Sequence, residues 1–228
     1  MIYVKWKGRF GNHLFQMSAA NILSVKHDQS IHHEWNDILS VNTGRDNKVY
    51  NKNIIVNNEN IVDIFNLGDK IEANLWMDDY FQNRWCIDKF IEINKYKNPE
   101  SHQVDATFVH IRLGDIKFTR ALSYSYYQEA IESLDNKRII LTSDSPEDEM
   151  VKSLEKSYNA EIYNGSPLDT IILGANCKKK VLSLGTFSWW IGFLGSLYWK
   201  NQETVCPLVN RTQVWHGDIF PLFNWRSF

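Results

Sequence analysis

"RIILTSDSPEDEMVKSLEKSYNAEIYN", residues 138–164, contains a strand pattern, a helix pattern and a second strand pattern. The apolar run "RIILTS" predicts a buried strand, and the short run "AEIYN" predicts another. Between them, Ser145 is predicted to be the helix N-cap, Pro146 the first helical residue, and Asp148 its capping-box partner. Two strands joined by a helix are expected to pair in parallel within one sheet.

The same alternation extends across the second half of the chain. The runs "TFVHIR", "KKVLSL" and "ETVCPL" predict strands. Helices are predicted for "SYSYYQEAIESL", "FSWWIGFLGSLYW" and "SPLDTIILGANC", the last starting at Ser166 and Pro167. Five strands separated by helices predict a mostly parallel, doubly wound α/β sheet.

The first half of the chain shows a weaker version of this pattern. "IYVKW" predicts a strand, "GRFGN" a glycine turn, and "HLFQMSAANILSV" and "YFQNRWCIDKFIEI" predict helices. Weaker strand patterns are "SIHHEW", "NIIVN" and "IEANLW". The polar stretch "NKYKNPESHQ" predicts a linker at 97–103 between α/β domains at 1–96 and 104–228. Ligands of such domains are expected in a cleft, at the carboxyl ends of the strands.

Composition narrows the class of protein. The chain has 228 residues, is 43% hydrophobic and carries a formal net charge of −2, which argues against a nucleic-acid partner. No leader-like segment opens the sequence, and the most apolar run is shorter than the ~20 residues that span a bilayer. Cys86, Cys177 and Cys206 are widely spaced and predict buried thiols in a reducing compartment. We therefore expect a cytoplasmic protein with no transmembrane segment.

Two strand-to-helix junctions are candidate phosphate sites. In "KGRFGNH", Gly8 and Gly11 allow a close backbone approach to a phosphate at a helix N-terminus, although a plain connecting turn explains them too. In "FVHIRLGD", alternation places His110 and Arg112 on one strand face. Arg112 has the planar fork that binds two phosphate oxygens, and the alternative is a buried pair satisfied by carbonyls.

Two further junctions add polar groups, and no stretch adds a convincing metal site. Asp144 in "LTSDSP" can hold a ribose or a guanine edge, or merely belong to a helix cap. Gly185, Thr186 and Ser188 in "LGTFSWW" start another helix whose amides suit phosphate. The two tryptophans there are expected in the core. "MDDY" is a weak metal candidate for which a solvated turn is the better explanation.

Several motifs, in order along the chain, resemble one known family. These are "GRFGNHLFQ", "DDYFQNRW", "HIRLGD", "YYQEAIESL", "SDSPED" and "GTFSWWIGFL". They are similar to the GxGNQ-L-FQ, YFQ, HxRRGD, YY-x-x-A-I, SD-x-P-E and STFSWW patterns of glycosyltransferase family 11, the α-1,2-fucosyltransferases. Three positions depart from those patterns: His13 stands for glutamine, Leu113 for a second arginine, and Gly185 for serine.

The resemblance implies a fold and a reaction. The fold would be of the GT-B type, with two Rossmann-like domains facing across a cleft and the N-terminal one reduced. Residues 1–96 would serve the acceptor and 104–228 would bind the donor, GDP-fucose. The reaction would move L-fucose, with inversion and without a metal or other cofactor, to a glycan hydroxyl, α-1,2 to galactose. The partners would be GDP-fucose and an oligosaccharide acceptor.

The resemblance also implies roles for individual residues. Arg112 would clamp the diphosphate, His110 would contact the nucleotide, and Asp144 would hold the guanine edge. The full donor-binding set is Gly8, Arg9, Gly11, Asn12, His110, Arg112, Asp144, Thr186, Phe187 and Ser188. The catalytic candidates are Arg112, Asn12, Asp115 and His13.

Two points stay open from sequence. Asp115 and His13 are the candidate proton acceptors, but each also has a structural explanation, and a dissociative transition state needs no strong base. The function has two alternatives. One is a transferase of the same fold with another nucleotide sugar or a protein acceptor. The other is a non-catalytic glycan-binding module, which would show an exposed aromatic strip without a phosphate clamp.

Overall fold

The chain forms two α/β units, each built on its own parallel sheet. A computed structural model describes residues 1–32, 44–94, 102–135, 138–208, 219 and 223–228. One unit comprises Met1–Tyr96 and Val214–Ile219, and the other comprises Lys97–Gln213 and Phe220–Phe228. We call them unit 1 and unit 2 and describe each by itself.

Unit 1 has four parallel strands in the order β2-β1-β4-β3 within its described part. Its elements are β1 (Ile2–Val4), α1 (Phe10–His27), β2 (Ile31–His32), β3 (Asn53–Val56), α2 (Ile61–Asn66), β4 (Asn74–Met77) and α3 (Arg84–Asn94). The predicted strands and long helices are present where they fall on described residues; residues 33–35 of the predicted strand "SIHHEW" lie outside them. The short helix α2 was not predicted. The chain leaves β1 toward β2 on one side and returns to β4 on the other. The order of strands therefore reverses between β1 and β4.

Unit 2 has six parallel strands in the order β10-β9-β8-β5-β6-β7, again counted over described residues. Its elements are β5 (Val104–Ile111), α4 (Tyr124–Glu132), β6 (Ile139–Ser143), α5 (Glu149–Tyr158), β7 (Glu161–Ile162), α6 (Pro167–Asn176), β8 (Cys177–Val181), α7 (Thr186–Tyr198), β9 (Glu203–Cys206) and β10 (Arg226–Ser227). The predicted parallel, doubly wound sheet is confirmed. Its strand order reverses between β5 and β8, where ligands of such sheets bind.

The two Ser-Pro helix starts behave differently. Ser166 is the N-cap of α6 as predicted, because its side chain accepts a hydrogen bond from the Asp169 amide. The predicted start at Ser145 is wrong: α5 begins at Glu149, and Asp148 is its N-cap, accepting from the Met150 amide. A carboxylate at the N-cap also interacts favourably with the helix dipole, so Asp148 competes successfully with the serine.

Both units have apolar cores that hold the strands in place. In unit 2, Val109, Ile111 and Leu113 pack with Tyr127 in one buried cluster. The tryptophans of α7, Trp189 and Trp190, are fully buried as expected. All three cysteines are buried free thiols. No helix among the described residues is both long and apolar enough to cross a membrane.

Candidate functional site

Arg112 lies at the strand reversal of unit 2, directly after β5 and beside the start of α7. Its side chain is 21% exposed. A Cβ atom built on Gly185 would collide with the Arg112 guanidinium, so the two are in close contact. Gly185 is the N-cap of α7 and has a φ of +108°, a conformation that favours glycine. The guanidinium thus lies at the positive end of a helix dipole. The guanidinium charge and the helix N-terminus together favour binding of an anion.

Ser183 connects the ends of β5 and β8. Its hydroxyl accepts a hydrogen bond from the Arg112 amide at 3.3 Å and another from the Tyr127 hydroxyl at 2.9 Å. Its own amide donates to the Ser188 hydroxyl at 2.7 Å. The neighbouring Tyr126 hydroxyl donates to the Leu182 carbonyl at 2.7 Å. This network fixes the backbone from which the Arg112 side chain extends.

Two members of that network, Tyr127 and Ser183, are not predicted from the sequence. Contact of the third, Ser188, with the donor stays a prediction. The double tyrosine belongs to the motif "YYQEAIESL", but nothing in the sequence indicates that Tyr127 contacts Ser183. Ser188 was predicted to line the donor. Its side chain is fully buried and its hydroxyl holds the end of β8, so the described structure gives it a positioning role.

Asp144, at the end of β6, fixes the loop that follows β5. Its Oδ1 atom accepts hydrogen bonds from the amides of Leu113, at 2.8 Å, and Gly114, at 3.1 Å. A side chain at Gly114 would collide with the same carboxylate. Leu113 is buried in the core, on the side away from the guanidinium as alternation predicts. A guanine contact by Asp144 stays a prediction, and the structure adds a loop-positioning role.

Asp115 pairs with the guanidinium. Arg112 Nη2 lies 3.2 Å from Asp115 Oδ1 and 3.4 Å from Oδ2. The carboxylate side chain is 54% exposed, so the pair is worth little free energy. An anion that binds Arg112 competes with Asp115 for the same nitrogen.

His110 lies beneath the first turn of α7. Its ring centroid is 5.1 Å from that of Phe187, and Nδ1 is buried with no hydrogen-bond partner in the described part of the chain. Burial lowers the pKa of His110 to about 4; the Asp144 charge opposes this shift and the Arg112 charge adds to it. The imidazole is therefore neutral at pH 7. Thr186, in the same helical turn, is buried as well, and contact of His110 with a nucleotide stays a prediction.

The glycine loop of unit 1 lies at the end of β1. Gly8 has a φ of +74°, and a Cβ atom there would collide with the Asn12 side chain. The Asn12 Oδ1 atom accepts a hydrogen bond from Gln82 Nε2 at 3.0 Å. Arg9 is the exposed N-cap of α1, and Gly11 is buried within its first turn. Asn12 is thus held between the glycine loop and the segment after β4.

His13 holds the glycine loop. Its Nε2 atom is 3.0 Å from the Gly8 carbonyl oxygen, which requires a proton on Nε2 and leaves the lone pair on Nδ1. Nδ1 is buried, and burial also lowers the pKa of His13. A proton-acceptor role for His13 stays a prediction, and the burial of its lone pair argues against it.

A cavity of about 420 Å³ lies beside this loop. Asn12, Asn58, Asp79, Tyr80 and Gln82 line it. Of these residues, the sequence predicts Asn12 as a donor-binding and catalytic candidate and places Asp79 and Tyr80 in the weak metal candidate "MDDY". It gives Asn58 and Gln82 no role of their own.

An exposed row of side chains crosses the sheet of unit 1. Strand register places His32 beside Tyr3, Tyr3 beside Trp76 and Trp76 beside Ile55. The rings of Tyr3 and Trp76 stack at 4.5 Å between centroids. These residues alternate with buried Ile2, so they occupy the other face of the sheet. We call this surface the aromatic row.

Both carboxylates of the candidate metal motif "MDDY" contact other groups of the protein. Asp78 forms an ion pair with Lys7 at 2.8 Å. Asp79 accepts hydrogen bonds from the amides of Asn58 and Tyr80. The described residues bring together no group of three or more histidine, cysteine, aspartate or glutamate side chains able to hold a metal ion.

The predicted site residues thus fall into two groups, one in each unit. Those at the ends of β5, β6 and β8 in unit 2 are His110, Arg112, Asp115, Asp144, Thr186, Phe187 and Ser188. Those at the end of β1 in unit 1 are Gly8, Arg9, Gly11, Asn12 and His13.

Comparison with known proteins identifies the family. The family model described as glycosyl transferase family 11 matches residues 70–198, more than half of the chain. The chain belongs to glycosyl transferase family 11. The matched region contains Arg112, Asp144 and Gly185, and it leaves out the glycine loop. None of the curated proteins compared with the chain matches it.

Solved structures support the fold of this family 11 protein. Escherichia coli heptosyltransferase WaaC with ADP has a TM-score of 0.52 and 15% identity, covering 100% of this chain and 89% of that one. WaaC with ADP-2-deoxy-2-fluoro heptose has a TM-score of 0.50 and 13% identity, covering 100% and 92%. These neighbours confirm the predicted α/β fold of the GT-B type. Family and fold together make the protein a glycosyltransferase, with a nucleotide-sugar donor and a glycan acceptor.

Proposed function

We propose that this protein is an inverting fucosyltransferase that moves L-fucose from GDP-fucose to a glycan hydroxyl, α-1,2 to galactose. The observation that carries the proposal is the Arg112 guanidinium resting on Gly185 at the start of α7, where the strand order of unit 2 reverses. Fucose and the α-1,2 linkage come from the resemblance of the motifs to the α-1,2-fucosyltransferases.

The diphosphate of the donor would bind Arg112 and the first turn of α7. A guanidinium bonds two phosphate oxygens at once, and the helix N-terminus adds backbone amides and a positive dipole. The similar heptosyltransferase structures hold ADP and an ADP-heptose analogue, which supports a nucleoside diphosphate at a site of this fold. Asp144 would contact the guanine with Oδ2, because Oδ1 accepts the hydrogen bonds of the loop amides. For the sugar end of the donor, the family resemblance alone names Gly8, Arg9, Gly11 and Asn12.

In the reaction, the acceptor oxygen bonds to C1 of fucose on the face opposite the diphosphate. The bond between C1 and the β-phosphate oxygen breaks, and its electron pair stays on GDP. Arg112 and the amides of α7 stabilise that growing negative charge, so we propose that no metal ion is required.

The acceptor hydroxyl proton needs a receiving group. Asp115 is the better of the two candidates because its carboxylate is exposed, whereas the lone pair of His13 is buried. Diphosphate bound to Arg112 would also release Asp115 from its ion pair.

A transfer assay tests the proposal. Labelled GDP-fucose, GDP-mannose, UDP-galactose and ADP-heptose are each offered with lactose, other galactose-terminated glycans and a peptide acceptor, with and without EDTA. We expect fucose transfer from GDP-fucose that persists in EDTA, with product NMR showing an α-1,2 linkage to galactose. Transfer from a different nucleotide sugar, or to the peptide alone, would assign another transferase of this fold. Glycan binding with no transfer and no GDP binding would assign a glycan-binding module.

A further inference from the structure

We infer that the cavity of unit 1, lined by Asn12, Asn58, Asp79, Tyr80 and Gln82, binds the neutral sugar ring of the acceptor. This inference rests on the proposed function and names the site of its second substrate. The first argument is the position of the cavity. Its lining residues come from the segments that follow β3 and β4 and from the first turn of α1. These segments lie where the strand order of unit 1 reverses. Open parallel sheets bind ligands at that point.

The backbone is strained at Phe81, between two of the lining residues. Phe81 has a φ of +56° although it is a bulky, fully buried residue. The left-handed conformation costs such a residue about 1–2 kcal/mol. Its neighbours Tyr80 and Gln82 both line the cavity. Strain of this kind is retained where the surrounding structure enforces it, and it is common at ligand sites.

Hydrogen bonds hold the lining in place without a ligand. Asp79 accepts from the Tyr80 amide at 2.7 Å and from the Asn58 amide at 3.0 Å. The Asn58 side chain accepts from Asn83 Nδ2 at 2.9 Å. Gln82 donates to Asn12 at 3.0 Å. Three loops that are distant in sequence are therefore joined around one preformed space, which lowers the entropic cost of binding.

The chemistry of the lining fits a hydroxyl-rich, uncharged ligand. Among the described residues, three amide side chains, one carboxylate and one phenol line the cavity and offer both donors and acceptors to sugar hydroxyls. The Asp79 carboxylate disfavours a phosphate, and the nearby cation Lys7 is neutralised by Asp78 at 2.8 Å. Tyr80 is 41% exposed and offers a ring on which a sugar can stack. The volume of about 420 Å³ is ample for one sugar ring.

The experiment separates acceptor binding from donor binding. Wild type, Tyr80→Ala and Trp76→Ala are compared by the KM for lactose, the KM for GDP-fucose, GDP affinity by calorimetry, and the melting temperature. Trp76 is a matched control because it is an aromatic side chain of the same exposure, 41%, in the same unit but outside the cavity. We expect Tyr80→Ala to raise the KM for lactose at least tenfold, with GDP affinity and the KM for GDP-fucose within twofold. Trp76→Ala should leave all three within twofold.

Three results would overturn the inference: an unchanged KM for lactose in Tyr80→Ala, an equal rise in the KM for GDP-fucose, or an equal effect of Trp76→Ala. The last would assign the acceptor to the aromatic row. If the wild type transfers no fucose, the proposed function fails, but the cavity is still tested. Saturation-transfer NMR with lactose then compares the same variants. Loss of the lactose signal only in Tyr80→Ala supports the cavity, and its persistence there, or its absence in the wild type, rejects it.

Discussion

The two units reverse their strand order in the same manner but carry opposite chemistry at the reversal. In unit 1 the reversal lies between β1 and β4, and in unit 2 between β5 and β8. Unit 2 places Arg112 and a helix start there, which suit a diphosphate. Unit 1 places amides, a phenol and the Asp79 carboxylate there, which suit a neutral sugar. Fold topology thus locates the two sites, while the side chains determine the charge of what binds.

A glycine with positive φ follows the strand at each site. Gly8 lies against the Asn12 amide and Gly185 against the Arg112 guanidinium. In both units, therefore, a glycine with positive φ allows a polar side chain to lie directly against the backbone. This parallel makes the comparison testable, because equivalent substitutions in the two units should weaken the binding of different substrates.

The largest expected effect is at Arg112. Arg112→Ala should lose nearly all transfer activity, and Arg112→Lys most of it, since lysine keeps the charge but not the paired hydrogen bonds. One charge-assisted hydrogen bond is worth about 1.5–3 kcal/mol, so GDP affinity should fall at least tenfold. Calorimetry with GDP measures this beside a thermal melt. Arg138→Lys, which changes a surface ion pair with Glu161, is the control. A folded Arg112→Lys variant that binds GDP like the wild type would remove the diphosphate site from unit 2.

A second effect is pH-dependent stability from the buried histidine beneath that site. The pKa of His110 is about 4 in the folded chain, against 6.5 as the ordinary value. The unfolded chain therefore binds the proton first as pH falls, and stability is lost between about pH 6.5 and pH 4. The full shift corresponds to about 3 kcal/mol.

Urea unfolding at pH 7, 5.5 and 4.5 measures the loss in wild type and in His110→Leu. Burial also lowers the pKa values of His13 and His27, so some loss should remain in the variant. The variant should be less pH-sensitive than the wild type, whereas His32→Gln, at an exposed position of unit 1, should match the wild type. Equal slopes in His110→Leu and wild type would show that His110 is protonated normally in the folded chain.

These sites differ in how far the sequence predicts them. Local patterns sufficed for the alternation of strands and helices, for Ser166 as a helix start and for Arg112 at a strand end. Contacts between distant segments were not predictable. Asp144 meets the Leu113 amide across 31 residues, and Tyr127 meets Ser183 across 56 residues. Sequence patterns do not predict the order of strands in a sheet, and that order determines which distant residues come into contact.

The helix start at Ser145 failed for a different reason. Two good caps, Ser145 and Asp148, stand three positions apart. Serine and aspartate have similar N-cap preferences, and only the added interaction of the carboxylate with the helix dipole favours Asp148. The cavity of unit 1 was not predicted because its lining residues come from three separate segments, which follow β1, β3 and β4. The one local sign of it, the strained Phe81, is a backbone conformation that residue type does not reveal.

The next effect compares the two glycines directly. Gly185→Ala forces a Cβ against the guanidinium and should weaken GDP binding about tenfold. Gly8→Ala displaces the Asn12 side chain instead, and should raise the KM for lactose with GDP affinity within twofold. Both substitutions also place alanine at positive φ, which costs of order 1–3 kcal/mol, so both melting temperatures should fall. If Gly8→Ala weakens GDP as much as Gly185→Ala does, the glycine loop of unit 1 shares the diphosphate, and the chemical contrast between the two sites is weaker than described.

The smallest expected effect on GDP binding concerns Asp115, which pairs with Arg112 at 3.2 Å. An exposed ion pair is worth about 0.2–1 kcal/mol, so Asp115→Asn should free the guanidinium and tighten GDP binding by up to about fivefold. Turnover reports separately on proton transfer, because loss of a general base lowers kcat by about 10²–10⁴-fold without weakening GDP. Tighter GDP binding with normal kcat would make Asp115 only a competitor of the diphosphate. Tighter binding with a collapsed kcat would make it the proton acceptor as well. Weaker GDP binding would contradict both roles and show that Asp115 positions Arg112 for the donor.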